Sequence, residues 1–408
     1  MRILFLTPYY PPEVGAPQTR QHELAVRLVA LGHHVEVLTC WPNYPSGVVI
    51  DGYRDKLFKW EDCEGVRIYR TWMYATPNRG FLRRVLAQLS FAAAAVWSGS
   101  RMGPADVVVV ESPPLFDGLA GAWLAWRRKA RMVFNVADLW PESVVALGAV
   151  RNRFLITLAE QLESWCYRRA WRILAVTRGI ERTLVGRGWD KVRFLPNGVD
   201  AERFLAADGR AIRRTMRWDE QTVVVLYAGT LGMSQALDKA LQAARQLQDL
   251  PAFRLVLLGD GAEREALVAA AGPNVAVLPP VSRDAVPAWL AAADVLFISL
   301  KDIPLFHGAV PSKTYEAMAA GKPIVLAARG EAPALLQEAG SGIVVPPEDP
   351  DALAAAWRRL VQDPELRRNL GGRGRALIME RYDRSALARR FLAIVTGADE
   401  DTRTGVAS

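Results

Sequence analysis

The stretch HGAVPSKTYEAMAAGKPIV, residues His307–Val325, places a helix directly before a buried strand. Pro311 and Ser312 predict the helix start, because proline suits the first helical turn and a serine hydroxyl can accept a bond from a free backbone N–H. Gly321 and Pro323 predict the helix end. An apolar strand follows at once, so the pattern is typical of an α/β protein.

The start of this helix also suits the binding of a phosphate. Free amides, the partial positive charge of a helix N-terminus and the ammonium of Lys313 come together there. Glu316, about one turn further on, lies on roughly the same face and can accept hydrogen bonds from sugar or ribose hydroxyls. Taken alone, the stretch favours an ordinary helix cap with a solvated lysine and glutamate. The rest of the chain reverses that preference.

Length and composition predict two packed domains. A chain of 408 residues exceeds one ordinary core, and a hydrophobic content of 51% excludes a disordered protein. Cys40, Cys63 and Cys166 lack metal-ligand spacing and leave one cysteine unpaired, which favours a reducing compartment. The first apolar segment is too short for a signal peptide, and no apolar run approaches the ~18 residues of a membrane span. We therefore expect a cytoplasmic protein.

The net charge is shared unequally between the two halves. Residues 1–200 contain 26 Lys and Arg against 18 Asp and Glu, so the net charge of +8 lies entirely in this half. A basic half is expected to face something anionic. Charge alone leaves nucleic acid and a membrane surface as candidates.

The first half opens with a strand, an amphipathic helix from Thr19 and a second strand, which form a βαβ unit. Ligands of doubly wound sheets bind at the carboxyl ends of the strands, so the loop before this helix lies at the predicted site. Gly15 and Ala16 in that loop allow backbone amides to approach a diphosphate, although a loop glycine is usually just turn chemistry. A later strand delivers Asp138 to the same sheet edge, where its carboxylate either serves chemistry or caps the turn. The turn-rich segment 196–200 predicts the domain boundary.

The second half repeats the alternation of strands and helices. A tight loop with Gly229, Thr230 and Gly232 follows one predicted strand, and Gly259 with Asp260 follows the next. Two Rossmann-like halves of this kind leave a cleft between them, with strand ends from both facing it.

Six motifs in this order resemble the retaining family-four glycosyltransferases of GT-B architecture, in particular the bacterial fucosamine-transferase-like branch. They are Gly15-Ala16, Asp138-Leu-Trp-Pro-Glu-Ser143, Pro196-Asn-Gly-Val-Asp200, Ala228-Gly-Thr-Leu-Gly232, Gly259-Asp-Gly261 and Pro311-Ser-Lys-x-x-Glu-Ala-Met-Ala-x-Gly-Lys-Pro323. The match spans nearly the full chain, and the last motif is distinctive. The resemblance implies an acceptor domain over 1–200, rejoined by the C-terminal helix 384–408, and a nucleotide-sugar-binding domain over 201–383.

The resemblance assigns roles to individual residues. Glu316 resembles the carboxylate that binds ribose hydroxyls, and Asp138 the acidic residue near the acceptor. The other donor-side positions surround the diphosphate: they are Gly15, Ala16, Gly229, Thr230, Gly232, Gly259, Asp260, Ser312 and Lys313. The implied donor is a nucleotide sugar, often UDP-linked. The implied acceptor is a lipid-linked or other glycan in surface-polysaccharide synthesis, such as lipopolysaccharide or capsule.

The chain departs from the family pattern at two places on the donor side. The wider family has a second glutamate eight residues before Glu316, where this chain has Gly308, and His307 is a candidate for the missing contact. The family's Arg/Lys phosphate pair after the glycine loop is also absent. The chain reads Met233-Ser-Gln235 at that place and next offers only Lys239, so Lys313 is the other candidate to supply the charge.

The expected chemistry requires no metal. Glycosyl transfer passes through an oxocarbenium-like state while the nucleotide diphosphate leaves. Preorganised amides and a lysine can stabilise the growing negative charge. No Asp-x-Asp pair lies in a loop at the predicted site, and the chain has four histidines. We predict neither a metal nor another cofactor, the nucleotide sugar being a co-substrate.

Two other classes of protein stay open. A sugar-nucleotide epimerase of the same two-Rossmann architecture would turn over UDP-sugar without an acceptor. A catalytically silent binding subunit would fit Gly308 and the missing Arg/Lys pair. A dinucleotide dehydrogenase is less compatible, because neither glycine loop reads G-x-G-x-x-G with a later ribose carboxylate.

Basic and apolar residues interleave at two places in the first half, which suits an interfacial helix. They are Arg79, Arg83 and Arg84 among Phe81, Leu82, Leu86 and Leu89, and Trp123 and Trp126 beside Arg127–Lys129. The alternative is that the leucines are core and the arginines a solvated rim. The charge excess and the implied polyprenyl-diphosphate-linked acceptor favour an anionic membrane surface over nucleic acid. We expect a peripheral protein on the inner face of the cytoplasmic membrane.

Overall fold

The chain divides into two compact units in a computed structural model, which describes residues 1–13, 15–44, 46–53, 57–76, 81–146, 150 and 152–399. The first unit comprises Met1–Asn197 and the segment that begins at Arg384. The second unit comprises Gly198–Asp383. The boundary therefore falls three residues before the predicted one, inside the Pro-Asn-Gly turn.

The first unit alternates strands and helices along the chain. Its strands are β1 (Arg2–Leu6), β2 (His34–Cys40), β3 (Phe58–Cys63), β4 (Val66–Thr71), β5 (Val107–Ser112), β6 (Arg131–Val136), β7 (Arg172–Ala175) and β8 (Val192–Phe194). Its helices up to residue 197 are α1 (Ala16–Ala30), α2 (Phe81–Gly99), α3 (Asp117–Arg128), α4 (Glu142–Ala146), α5 (Arg153–Arg169) and α6 (Arg178–Gly186).

The strands form one sheet in the order β3-β4-β2-β1-β5-β6-β7-β8. All neighbours are parallel except β3 and β4, which form an antiparallel pair at the edge. Apart from Arg2, the central strands β1 and β5 are buried along their length, and each contains a run of four apolar residues, as parallel strands covered on both faces do. The order reverses between β1 and β5, so the carboxyl ends of these strands and of β6 border the crevice of the sheet.

The second unit repeats this alternation without an antiparallel pair. Its strands are β9 (Val223–Ala228), β10 (Phe253–Leu258), β11 (Val275–Leu278), β12 (Val295–Ser299), β13 (Ile324–Ala327) and β14 (Gly342–Val345). Its helices are α7 (Ala201–Leu205), α8 (Arg210–Thr215), α9 (Leu237–Arg245), α10 (Arg264–Ala270), α11 (Val286–Ala292), α12 (Pro304–His307), α13 (Ser312–Ala319), α14 (Glu331–Ala339), α15 (Pro350–Gln362) and α16 (Pro364–Leu377). A 3₁₀ turn covers Met233–Gln235, and a π-helical turn, Ile378–Tyr382, follows α16.

The parallel sheet of the second unit has the order β11-β10-β9-β12-β13-β14. The chain starts at the centre, moves out to one edge and returns to build the other half. The order reverses between β9 and β12, and ligands of open α/β sheets bind at such a point, outside the carboxyl ends of the strands.

The last helix, α17 (Arg384–Thr396), packs on the first unit. Phe391 is fully buried and stacks on Phe5 of β1, with ring centroids 6.3 Å apart. Leu387 and Ile394 are buried in the same core cluster. The helix is therefore a structural part of the first unit.

One predicted helix start is wrong by three residues, and one predicted helix cap is not formed. Helix α1 begins at Ala16 and not at Thr19, because Pro17 occupies the first turn, where its missing N–H costs nothing. Helix α13 begins at Ser312, and Pro311 is its N-cap without a side-chain capping bond. Ser312 is thus the first helical residue, and the predicted serine cap is not formed.

Candidate functional site

A cavity of about 430 Å³ lies at the switch point of the second unit, where β9, β10 and β12 end and α13 begins. Seven of the predicted donor-side residues line it together. They are Gly229, Thr230, Gly259, Asp260, Ser312, Lys313 and Glu316. The remaining lining is largely apolar, with Leu258, Pro280, Val281, Val286 and Leu290 among its members. The cavity thus offers a polar end and an apolar wall.

Lys313 is the cation of the polar end, and Tyr227 holds it. The Lys313 ammonium donates to the Tyr227 hydroxyl over 3.0 Å, and that hydroxyl donates to the backbone oxygen of Thr230 over 2.7 Å. Burial lowers the pKa of the Lys313 ammonium to about 8, while the charge of Glu316 acts in the opposite direction. An anion bound in the cavity would therefore stabilise the charged form of Lys313.

Sequence analysis did not identify Tyr227 as part of the site. It lies at the end of an apolar strand, is fully buried, and has the pattern of a core residue. The sequence gave no signal for its hydroxyl, which reaches the lysine because the fold brings the start of α13 to the carboxyl end of β9. Knowledge of that packing would be needed to find it.

The two glycine loops allow backbone to approach closely at the polar end. Gly229 has φ 144°, and a Cβ atom there would lie 2.6 Å from the Lys313 amine. Gly259 has φ 155°, and a Cβ atom there would overlap the Gly229 carbonyl. The loops are joined by bonds from the Gly229 amide to the Leu258 oxygen, 2.9 Å, and from the Leu231 amide to the Asp260 oxygen, 2.8 Å. Side chains at these glycines would block both the lysine and the loop contact.

Four predicted positions of the second unit lie outside the cavity lining. Gly232 precedes the 3₁₀ turn, and the Gln235 amide donates back to its oxygen over 3.2 Å. The Lys239 ammonium lies 3.5 Å from a carboxylate oxygen of Asp238. His307 ends α12, and its Nε2 lies 2.8 Å from Asp302, which also accepts from Arg329 over 2.7 Å. His307 therefore belongs to an ion cluster with Asp302 and Arg329, and it is not among the residues that line the cavity.

Asp138 follows β6 at the carboxyl edge of the first unit's sheet, as predicted. Partial burial raises the pKa of its carboxyl group, while hydrogen bonds from the Ser143 side chain and the Leu139 backbone act against that rise. The side chain still reaches solvent. Gly15 and Ala16 lie at the start of α1, with Gly15 as the N-cap in extended conformation. Their predicted contact with the donor stays a prediction.

Helix α2 carries an exposed apolar stripe with cations beside it. Leu82, Leu86 and Leu89 recur at helical spacing and are exposed, Leu82 by 69%, so these leucines are not core residues of the unit. Arg83 and Arg84 are exposed next to them. Arg79 lies outside the described residues.

The two tryptophans of α3 have different surroundings. Trp126 is 73% exposed, whereas Trp123 is half-buried against the core. Arg128 of the same helix donates to backbone oxygens of Gly99 and Gly103, so it ties α3 to the end of α2. Among the described residues, no helix has the length and apolar character that crossing a bilayer requires.

One group among the described residues could offer three ligand atoms to a metal: His22, Cys63 and Glu64. It lies in the first unit, and His22 Nε2 is 2.6 Å from the Glu64 carboxylate. None of the three lines the cavity at the switch point. The expectation that the reaction uses no metal stays a prediction.

Comparison with known proteins agrees with this geometry. The profile described as "Glycosyl transferases group 1" matches residues 208–377, and that of a "Glycosyl transferase 4-like domain" matches residues 15–198. WcaI of Escherichia coli (strain K12), named as a colanic acid biosynthesis glycosyl transferase, is 27% identical over 90% of this chain and 93% of its own. The D-inositol 3-phosphate glycosyltransferase of Geodermatophilus obscurus is 32% identical over 72% of this chain and 68% of its own.

A solved structure extends the likeness to the whole fold. Anabaena HepE in complex with UDP has a TM-score of 0.70 at 16% identity, and the match covers 97% of this chain and 100% of HepE. The two-domain α/β fold with parallel sheets is thus that of the GT-B glycosyltransferases. The family profiles and the relative that is 32% identical show that the chain is an enzyme of the glycosyl transferase group 1 family.

Proposed function

We propose that this enzyme transfers a sugar from a UDP-linked donor to a lipid-linked or other glycan acceptor, with retention of anomeric configuration, in the synthesis of a surface polysaccharide. The observation that carries the proposal is the cavity of the second unit, which joins Lys313, two glycine loops and Glu316 in one lining. The similarity to WcaI, named for colanic acid biosynthesis, supports the polysaccharide. The complex of HepE with UDP supports the nucleotide.

The donor would lie with its diphosphate at the polar end of the cavity. The start of α13 supplies amides that have no partner within the helix, and Ser312 and Lys313 stand there. Glu316, one turn on, would accept bonds from the ribose hydroxyls. The apolar wall with Val281 and Leu290 would cover the base.

Lys313 would act on the leaving group. Negative charge grows on the diphosphate as the sugar bond breaks, and a preorganised cation stabilises that charge without reorganisation. The ammonium is fixed by Tyr227 and destabilised by burial, so its interaction with an added anion is strong. The proposed reaction uses no metal.

The acceptor would bind to the first unit, with Asp138 orienting or deprotonating its hydroxyl. The raised pKa of this carboxyl brings it nearer to the range in which a general base works. Retention is supported only by the resemblance of the motifs. Product stereochemistry, read by NMR, tests it directly.

The exposed stripe of α2 would rest on the membrane that carries the acceptor. Leu82, Leu86 and Leu89 would enter the headgroup boundary, and Arg83 and Arg84 would meet anionic lipid. The concentration of the net charge in residues 1–200 supports this orientation.

A donor screen by thermal shift tests the proposal. UDP-, GDP-, ADP- and dTDP-sugars are compared, and the UDP-sugars are expected to raise the melting temperature most. The best donor is then incubated with a membrane lipid extract, and mass spectrometry detects a lipid that has gained one sugar.

The alternatives give different results in the same assay. Conversion of the donor into a second UDP-sugar without any acceptor would indicate an epimerase. Donor binding without any turnover would indicate a catalytically silent subunit. This alternative is tested because Gly308 stands where the wider family has a glutamate. A side chain at Gly308 meets open space at φ −83°, so Gly308→Glu should fold. Turnover that appears only in this variant would identify the silent subunit.

A further inference from the structure

The first unit contains a second cavity, of about 280 Å³, whose described lining is apolar throughout. It lies between α2, the loop after β6, and α5. Its members include Leu89, Phe116, Trp140, Leu155, Leu158 and Leu162. No charged or hydroxyl-bearing side chain is among the described residues that line it.

This cavity is not a closed void in the core. Leu89, Leu155 and Leu158 line it and are exposed, Leu158 by 53%. Beside them stand Leu82 and Leu86 on α2 and Phe154 on α5, the last 74% exposed. Isolated apolar residues on a surface are ordinary, but a contiguous patch that leads into an apolar cavity indicates a binding surface.

The chemistry of the lining restricts the occupant. A sugar, a nucleotide or a phosphate buried there would lose its hydrogen bonds to water without replacement. A hydrocarbon chain would lose none. The exposed charges close to the lining in sequence are net basic, since Arg83 and Arg84 on α2 and Arg153 at the start of α5 outnumber Glu160 and Glu142, and Glu142 pairs with Arg187. An apolar slot with a basic rim complements an amphiphile with an anionic head.

The cavity also lies close to Asp138 along the chain. Trp140 lines the cavity, and Asp138 is two residues earlier in the same loop. Two residues span at most about 7 Å of backbone. The head of an amphiphile whose chain fills the cavity would therefore stay within reach of the Asp138 carboxylate.

We propose that this cavity binds the end of the hydrocarbon chain of the acceptor lipid, an isoprenoid or acyl chain that carries its sugar on an anionic phosphate. The proposal rests on the proposed function, because it specifies the acceptor of the same transferase. It adds a site for the chain itself, distinct from the contact of α2 with a membrane surface. The site would favour acceptors that carry a hydrocarbon chain and would disfavour water-soluble glycans.

Alkyl phosphates of six to fourteen carbons, kept below their micelle concentrations, serve as probes for the full-length protein. Each methylene that enters an apolar site strengthens binding by about fourfold. Affinity should rise by this factor with chain length and then level off when the cavity is full. An open surface patch would give no such plateau.

Trp140 supplies a local signal. A dodecyl phosphate with a bromine at the chain end should quench tryptophan fluorescence in a saturable way, and unlabelled dodecyl phosphate should reverse the effect. The saturable quenching should be lost in Trp140→Phe, which removes the indole that lines the cavity. Quenching that persists in this variant would show that the chain binds elsewhere.

A blocking variant and a matched control complete the test. Ala159→Phe fills the cavity from α5 and should weaken dodecyl phosphate at least tenfold, whereas Thr157→Phe, at an exposed position of the same helix outside the lining, should not. Leu158→Gln on the rim repeats the test if Ala159→Phe does not fold. Inorganic phosphate should bind too weakly to compete, which excludes the head alone as the ligand.

UDP binding separates failure of this proposal from failure of the proposed function. If UDP binds and no alkyl phosphate shows a chain-length dependence, the cavity proposal is wrong and the donor site stands. If alkyl phosphates bind as expected and no nucleotide sugar does, the proposed function fails and the chain site stands. If light scattering instead shows a dimer that Ala159→Phe separates, and alkyl phosphates do not bind, the apolar face joins two copies and the proposal is overturned.

Discussion

The burial of Lys313 has opposite effects on stability and on anion binding. Its position against Tyr227 costs stability in the unliganded protein, because burial disfavours the charged amine. The same burial makes the ammonium a strong partner for a diphosphate. Lys313→Met should therefore weaken UDP by about 1.5–3 kcal/mol, the usual value for a hydrogen bond to a charged group, and leave uridine unchanged. Isothermal titration calorimetry with both ligands measures this difference.

Lys322 provides the control for this substitution. It is also a buried lysine with a lowered pKa, donates to the Ala291 oxygen over 2.9 Å, and lies outside the cavity lining. Lys322→Met should change stability and leave UDP affinity intact. Equal losses of UDP affinity in both variants would mean that Lys313 has a structural role only.

The lowered pKa of Lys313 also predicts a pH dependence. The pKa is about 8 in the folded protein and 10.5 in the unfolded chain. Between these values the unfolded chain binds more protons, so the lysine contributes a rise in stability as the pH increases through this window. UDP affinity should change in the opposite sense and fall above pH 8, because the free enzyme loses the ammonium. Lys313→Met should remove the fall, and a wild-type affinity that stays constant from pH 7 to 10 would contradict the role.

Glu316 can be tested through the ligand as well as through the protein. If its carboxylate accepts the ribose hydroxyls, Glu316→Ala should weaken UDP by ~1–3 kcal/mol without unfolding the unit. The variant should then lose the preference of the wild type for UDP over 2′,3′-dideoxyuridine diphosphate. Fluorescence competition gives both affinities. A variant that binds UDP as tightly as the wild type would assign the ribose contact elsewhere.

Asp138 should affect transfer and not donor binding. Asp138→Asn keeps the size of the side chain and removes the base, so the transfer rate should drop by the ~10²–10⁴-fold that general catalysis contributes, with UDP affinity unchanged. Glu142→Gln, four residues on and paired with Arg187, is the matched loss of a nearby carboxylate. A transfer rate that falls equally in both variants would point to the local field and not to a catalytic base.

At the scale of single elements, sequence patterns predicted the strands and helices with strong periodicity and missed those without it. Strand β9 is a continuous apolar run, and α13 is bounded by Pro311 and Gly321, so both could be predicted. Strand β3 is a short edge strand whose residues are all exposed or half-buried, and Trp60 is fixed by packing on Tyr69 of β4. The residues of β3 alone do not predict a strand, because packing against the neighbouring β4 determines its structure.

The exposed leucines of α2 predict binding to an anionic membrane that depends on the basic residues beside them. Arg83→Glu with Arg84→Glu reverses two charges beside the leucines, and each basic residue near an anionic surface contributes about 1 kcal/mol. The variant should no longer sediment with liposomes of phosphatidylcholine and phosphatidylglycerol at low salt, and it should still bind UDP. Arg214→Glu with Arg217→Glu changes the net charge equally on the second unit and is the control. A wild-type protein that does not sediment with these liposomes would refute the membrane contact.

At the scale of the whole molecule, the sequence could predict which residues share a site when local patterns place them at the same sheet edge. Each glycine loop directly follows its strand, so Gly229 and Gly259 could be assigned to one sheet edge from local patterns. The apolar cavity of the first unit could not be predicted, because Leu89, Trp140 and Leu158 come from distant segments and no local pattern shows that they meet. The role of His307, suggested by the family glutamate that Gly308 replaces, stays a prediction. The bond between its Nε2 and Asp302, 2.8 Å long, could not be predicted from the sequence.

The division into two units predicts two separable unfolding transitions. The residues that line the donor cavity fall between Leu226 and Ala317, inside the second unit, whereas Phe391 is buried in the first. UDP at a hundred times its Kd should stabilise only the second unit, by about 2.7 kcal/mol. Phe391→Ala should destabilise only the first, by about 3–5 kcal/mol, since it removes a fully buried ring from the contact with Phe5. Differential scanning calorimetry of the wild type and the variant, each with and without UDP, assigns the transitions. If UDP and Phe391→Ala moved the same transition, donor binding and the C-terminal helix would belong to one cooperative unit and the assignment of the cavity to the second unit alone would be wrong.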